Sequence, residues 1–314
     1  MPEFKFSCPQ CGQNIQCDTS YSGKQINCPT CQQVIVVPQV PAAGRQFSNP
    51  QLTPAKSRIW RNVVVITAFV AVLAGFGWFG CLIYKHRHLT SGLVAAWSGL
   101  SNGKSGKGAV LKNVKLTEGV TGNAFLFDPQ HSRGFTGVLI PDAPAYALTD
   151  SLSMVAWIQP RGNGYMIFFR GDHRPGLDPY GLSMQGNHDL RFWLCGASND
   201  NSAFIDTEIP YFVWTHVVAT LDGSTGTMRL YTNGVLAVQT NTSVRPFGEL
   251  MADQTPGVGI GNLNDGGNNF PFNGKIDGME LYDRALSVNE VEASYAKYAA
   301  KAKSLNESAS APNN

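Results

Sequence analysis

Four cysteines stand in two close pairs, Cys8-x2-Cys11 in FSCPQCGQNI and Cys28-x2-Cys31 in INCPTCQQVI, with sixteen residues between the pairs. Each C-P-x-C turn aims two sulfurs at one point, and the spacing is that of a four-cysteine metal site. Zn²⁺ held by four thiolates keeps no open coordination position, so the metal predicted here is structural rather than catalytic. Gly12 permits the backbone turn after the first pair, and a unit this small would owe its folding to the ion. Cys17 falls outside the paired pattern and reads as a small, partly buried residue. The first 37 residues carry Lys5 and Lys24 against Glu3 and Asp18, a net charge of zero. That balance disfavours nucleic acid and leaves a structural role or contact with a cytosolic protein.

Carboxylates are the next candidates for chemistry. Retaining glycosidases place two carboxyl groups about 5–5.5 Å apart and inverting ones about 6.5–9.5 Å apart. Asp206 and Glu208 share one strand face at roughly 6.5–7 Å along the strand, yet they precede Pro210 at what reads as a loop edge. Asp277 and Glu280 point to opposite faces. Neither a nucleophile elbow, nor a His-Glu-x-x-His pair, nor a phosphate loop occurs. A binding protein, not an enzyme, is the expectation.

The elements that would hold these residues divide the 314-residue chain. Residues 3–37 form the cysteine module, and 38–62 are a Pro-, Ala- and Gln-rich linker. Residues 63–84 (VVVITAFVAVLAGFGWFGCLIY) form an uncharged apolar run. At 1.5 Å per residue it spans roughly 33 Å, enough for one transmembrane helix. Residues 89–297 form a large domain, and 298–314 a polar tail expected to be disordered. The large domain holds fourteen Lys/Arg against nineteen Asp/Glu, a net of −5, which excludes a phosphate-binding footprint. Flanking charge is nearly balanced across the apolar run. Thiolate ligands favour a reducing cytosol, whereas the large domain has one cysteine, Cys195. The orientation expected is N-terminus cytoplasmic, with the C-terminal domain periplasmic or extracellular across a bacterial inner membrane.

From Leu93 to Tyr295 short alternating runs are bounded by Gly, Asn, Asp and Pro, and Asn233-Gly234 between MRLYT and VLAVQT is a hairpin signal. The pattern predicts an all-β, two-sheet antiparallel sandwich. Trp157, Trp214 and Tyr231 are expected to fill the core between its sheets, with surface sugar stacking the alternative. His216 reads as a hydrogen-bonded strand residue. VTGNAFLFD, LTDSLSMVAWIQP, WTHVVATLDGSTGTMRLYTNGVL and FNGKIDGMELYDRALSVNEV resemble, in order and spacing, laminin-G-like (concanavalin A-like) jelly-roll domains. The paired cysteine knuckles resemble bacterial zinc-ribbon modules.

The jelly-roll resemblance implies adjacent first and last strands, glycan or protein recognition, and a calcium ion beside the terminal strands. It places Asp128 and Asp277 as candidate Ca²⁺ carboxylates, although SNGKSGKGA lacks the acid that relatives carry early in the domain. It also implies a short closing helix, capped by Ser287 with Glu290 three residues on. Two polar loops are candidate ligand sites: Asp172, His173, Arg174, Asp178 and Tyr180 in the first, Asn264, Asp265, Asn268 and Asn269 in the second. Both read equally well as solvated turns, and Arg170-Gly171-Asp172 is too short a match to mean adhesion. The function expected is display of a glycan- or protein-binding domain outside the cytoplasm. A structural envelope protein without a soluble ligand is the alternative, and a polysaccharide hydrolase a third.

Overall fold

The computed structural model describes residues 3–39, 91–99, 108–162, 165–174, 176–198, 201–263 and 269–310. The chain divides into two compact units, Met1–Val72 and Leu73–Asn314. The apolar run at 63–84 lies outside the described residues. Among those described, no helix is long and apolar enough to cross a membrane.

In the first unit β1 (Glu3–Ser7) pairs with β2 (Asn14–Asp18), and β3 (Gln25–Asn27) with β4 (Val34–Val36). Its core is Cys8, Ile15, Cys28 and Ile35, with Phe6, Ile26 and Cys31 against them. Val37, fully buried, adds one more apolar side chain.

The second unit begins with β5 (Leu93–Trp97), β6 (Val110–Lys112), β7 (Lys115–Glu118), β8 (Asn123–Phe127), β9 (Gly137–Pro141) and β10 (Leu152–Pro160). It continues through β11 (Met166–Gly171), β12 (Tyr180–Met184), β13 (Asp189–Cys195), β14 (Ser202–Glu208) and β15 (Thr215–Asp222). The last elements are β16 (Thr227–Thr232), β17 (Val235–Asn241), β18 (Gly257–Ile260), β19 (Gly274–Tyr282) and helix α1 (Val288–Ser310). One antiparallel sheet runs β17-β16-β15-β10-β19-β8-β7, with β5 also on β19; the other runs β14-β13-β12-β11-β18-β9-β6. First and last strands are therefore adjacent, as the resemblance implied. The Asn233-Gly234 turn has φ of 49° and 81°, the left-handed pair that a tight hairpin needs. Phe125, Phe127, Met154, Ile158, Phe168, Leu182, Phe192 and Leu230 fill the space between the sheets.

All nine residues of β10 are buried, so this strand is covered on both faces. Met154, Ala156 and Ile158 face the other sheet. Trp157 faces outward and is covered instead by α1. Val291, Tyr295, Tyr298, Ala302 and Leu305 recur at three- and four-residue spacing, one stripe of a helix. The last four residues of that stripe pack on or beside Trp157 and Trp214, together with Val120 and Ala124. Near the end of α1, Asn306 Oδ1 accepts the Trp214 N–H at 2.7 Å, and its Nδ2 donates to the Trp214 carbonyl at 3.2 Å. Two expectations are corrected by this helix. Residues 298–310 are helical rather than a disordered tail, because the apolar stripe continues past Tyr298. Trp157 and Trp214 are buried, each 2% exposed, but beneath α1 and not between the sheets; Tyr231 likewise belongs to an outer cluster with Val155, Val218 and Val291.

The helix start uses half of the expected capping box. Glu290 accepts from the Ser287 N–H at 2.8 Å, but the Ser287 hydroxyl donates to the same carboxylate at 2.7 Å. Arg284 closes the arrangement with bonds of 2.9 and 2.7 Å to Glu290. Burial alone would raise that carboxyl; Arg284 and Ser287 outweigh it and hold the pKa down to about 2. His216 is fully buried under α1, its Nε2 3.2 Å from Ser294 Oγ. Burial lowers its pKa to about 3, so the imidazole is neutral.

Candidate functional site

In the first unit the two knuckles repeat one geometry. Cys8 N–H donates to Gln13 O at 2.8 Å and Gly12 N–H to Cys8 O at 2.9 Å; Cys28 to Gln33 and Gln32 to Cys28 match them at 2.9 Å. Gly12 and Gln32 both take positive φ, 70° and 56°, to turn the chain back. The sulfurs of Cys8, Cys11, Cys28 and Cys31 all lie within 4.8 Å of one another. The Cys8–Cys31 and Cys11–Cys28 separations are 3.8 and 3.7 Å. Sulfurs placed tetrahedrally about 2.3 Å from a zinc ion would stand roughly 3.8 Å apart, so the donor set fits that ion. Backbone N–H groups of Cys31 and Thr30 pull the Cys28 thiol down to about 6, while Cys11, despite the Gln13 backbone bond that lowers it, is pushed up to about 12 by burial and the neighbouring thiols, so the four sulfurs titrate as one set. Cys17 is not in the cluster.

The two polar loops of the sandwich lie at opposite ends of its strands. The first leaves β11 at Gly171, where Gly171 pairs with Gly257 at the start of β18; the second leaves the far end of β18, after Ile260. The first loop is an internal tie. Asp172 is 1% exposed and takes both Arg174 Nε and Nη2, at 2.8 and 2.7 Å, and the Met251 N–H at 2.8 Å. Tyr180 is fully buried and its hydroxyl donates to the Tyr146 carbonyl at 2.6 Å. Asp178 is partly buried beside Gly171, and His173 is exposed. Arg170 is also 1% exposed, so the Arg-Gly-Asp tripeptide cannot be presented to a partner. In the second loop, buried Asn262 donates to Thr136 O and Asn269 Oδ1, and accepts from Leu263 and Phe270. Asn264, Asp265 and Asn268 lie outside the described residues.

A different surface has the features of a binding site. The outward side of β12–β14 bears Ser183, Arg191, Trp193, Cys195, Ser202, Phe204, Asp206 and Glu208, because Leu182, Leu190, Phe192, Leu194 and Ile205 take the inward positions. Trp193 pairs with Gly181 on one side and Phe204 on the other. A Cβ at 181 would overlap the six-membered ring of the indole, so the glycine lets Trp193 lie flat across β12. Phe204 is 55% exposed. Arg191 stacks 4.0 Å from its ring and binds Asp206 through two bonds of 2.8 Å. Gln185 Nε2, 2.8 Å from Ser183 Oγ, closes a depression of about 290 Å³ with Met166 and Ser202. Flat aromatic rings beside fixed donors and acceptors suit a ligand with one apolar face and several hydroxyls. A larger cleft of about 620 Å³ runs along α1, but the Trp157 and Trp214 rings there are sealed.

The model of the concanavalin A-like lectin/glucanases superfamily matches residues 132–292, just over half of the chain. The chain belongs to that superfamily. The superfamily sandwich here begins before the match, at β5. Pentraxin-related protein PTX3 of Mus musculus is 25% identical over 177 residues, 54% of this chain and 44% of the pentraxin. Among solved structures, the binding domain of Paraclostridial mosquitocidal protein 1 aligns with TM-score 0.50 at 17% identity, over 67% of this chain and 53% of that one. The botulinum neurotoxin serotype D ligand binding domain, solved with N-acetylneuraminic acid, aligns with TM-score 0.50 at 15% identity, over 68% and 52%. At such identities these structures share the fold. The chain spans less than half of the pentraxin and about half of either toxin chain.

Within this concanavalin A-like frame the calcium expectation is corrected. The register Gly274↔Phe127 and Ile276↔Phe125 sets Asp277 beside Ala124 and Asp128 beyond the other end of that ladder. Four residues of strand, about 13 Å, separate the two acids, too far for one ion with ligands at about 2.5 Å. Asp277 is fully buried and holds the 119–122 turn, accepting Thr121 N–H at 2.6 Å and Thr121 Oγ1–H at 2.8 Å. Burial raises its pKa, and those bonds counter the rise. Asp128 pairs with His131 at 2.8 Å. Trp193, Phe204, Arg191 and Ser183 were missed by sequence reasoning; alternation within LRFWLCG marks Trp193 as facing opposite Phe192, but not which of the two faces outward.

Proposed function

We propose that this is a single-pass membrane protein whose sandwich binds glycan outside the cytoplasm through the Trp193–Phe204 face. Residues 63–84 would anchor it, and a structural zinc ribbon would lie on the cytosolic side. The observation that carries the reading is Trp193 lying flat over Gly181, flanked by Phe204 and the Arg191–Asp206 pair. The serotype D toxin domain, of the same fold, is a sugar complex, which supports a glycan as the occupant. The Asp206 carboxylate is engaged by Arg191, which speaks against its use as a catalytic acid or base.

Purified full-length protein in detergent should bind at least one member of a glycan panel saturably. Trp193→Ala should weaken that binding by about 2 kcal/mol or more, roughly thirty-fold, as loss of a central aromatic anchor does. Saturable binding unchanged by Trp193→Ala, or no binding to any sugar, would overturn the reading. For topology, Thr240→Cys on β17 offers an exposed reporter that buried Cys195 does not. It should react with a membrane-impermeant maleimide in intact cells; reaction only after lysis would place the sandwich inside.

A further inference from the structure

We infer that the sheet-face site selects uncharged glycan chains and turns away acidic ones. This rests on the reading of that face as glycan-binding and adds its charge selectivity. The rungs of the β13–β14 ladder run Cys195↔Ser202, Trp193↔Phe204, Arg191↔Asp206 and Asp189↔Glu208. The aromatic rung therefore has a charged rung beside it and a doubly acidic rung beyond. Arg191 is the one cation that these two strands carry, and both of its bonds of 2.8 Å go to Asp206. Among the described residues neither Asp189 nor Glu208 is in an ion pair.

Beyond the Arg191–Asp206 rung, Asp189 and Glu208 thus stand on this face as two carboxylates in no ion pair among the described residues, and the one guanidinium of these strands is already matched. A sugar stacked on Trp193 extends its neighbours along the strands, and about three sugars reach the Asp189–Glu208 rung roughly 13 Å away. Hydroxyl and N-acetyl groups can donate to these carboxylates. A uronate or sialate would set like charge against them, and the Arg191 guanidinium on this face is already engaged by Asp206. The serotype D toxin domain was solved with an acidic sugar, so this selectivity would set the two proteins apart.

The test uses the full chain in detergent and two sets of soluble hexasaccharides, read by tryptophan fluorescence and calorimetry. The neutral set is cellohexaose, maltohexaose, mannohexaose and N-acetylchitohexaose; the acidic set is hexagalacturonate and hyaluronan hexamer. The tightest neutral probe should exceed every acidic one by at least about tenfold at low salt, and the gap should narrow as salt screens the carboxylates. Asp189→Asn with Glu208→Gln should bring the acidic probes to within about threefold of the neutral one. An acidic probe binding as tightly as the neutral one, lost in both cases with Trp193→Ala, overturns the selectivity alone. A gap unmoved by the double substitution also overturns it. Binding of neither set removes the glycan reading, and the selectivity with it.

Discussion

Asp142→Ala should destabilise the sandwich by about 3–5 kcal/mol, because it strands a guanidinium that has almost no water around it. Arg170 is 1% exposed, yet it carries a charge at the end of β11. Asp142 neutralises it through two bonds, Nε to Oδ1 at 2.9 Å and Nη2 to Oδ2 at 3.0 Å, and Gly248 O accepts a third at 2.9 Å. Nη1 has no partner among the described residues, so the site holds no reserve of acceptors. Removing the carboxylate leaves the desolvation cost without its Coulombic return. For a domain of this size that loss lowers the midpoint of thermal unfolding by roughly 6–20 °C. The paired change Arg170→Met with Asp142→Leu should recover most of the loss, since two apolar residues can replace a buried ion pair at little cost. Urea denaturation of the three proteins checks both statements. A loss below about 1 kcal/mol for Asp142→Ala, the scale of a surface pair, would show that Arg170 reaches solvent after all.

Arg170 also shows where sequence stops. Read along the chain, it begins an Arg-Gly-Asp tripeptide; in the fold it points into the protein, and its neighbour Asp172 is committed to Arg174. Strand alternation and turn residues are local, so β10, β11, β13, β15, β16, β17 and β19 and the Asn233-Gly234 hairpin could be read directly, whereas Tyr180, read as loop, begins β12, and Asp206 and Glu208, read as a loop edge, lie in β14. The cysteine spacing was legible for the same reason. Cross-strand register is not local. Nothing in LRFWLCG and SAFIDTE says that Trp193 will meet Phe204, or that Gly181 will clear the space beneath the indole. Trp157 shows a second limit. Its burial was legible, but the face it occupies depends on α1, whose stripe of Tyr and Ala is a weak apolar signal. The first polar loop is an internal tie because turn composition marks a loop without saying whether its charges pair with one another, as Asp172 and Arg174 do.

Stripping metal from the full-length protein should unfold the first unit and leave the second intact. The sulfurs are themselves part of the core there: Cys8 and Cys28 are 2% and 1% exposed and pack with Ile15 and Ile35. Two hairpins of five- and three-residue strands bury too little apolar surface to offset their ordering entropy. Binding of a structural zinc ion to such peptides contributes about 10–16 kcal/mol near neutral pH, and here that would be the folding energy. A strong chelator should therefore abolish hydrogen-exchange protection at Phe6, Ile15, Ile26 and Ile35, while the sandwich keeps its melting temperature. Cys28→Ser should reproduce the loss, because three thiolates and a hydroxyl hold the ion poorly. Cys17→Ser should not, since that sulfur is outside the cluster. Elemental analysis should find one zinc per chain. Protection that survives chelation, or a metal content near zero in folded protein, would mean that the two knuckles close on one another without an ion.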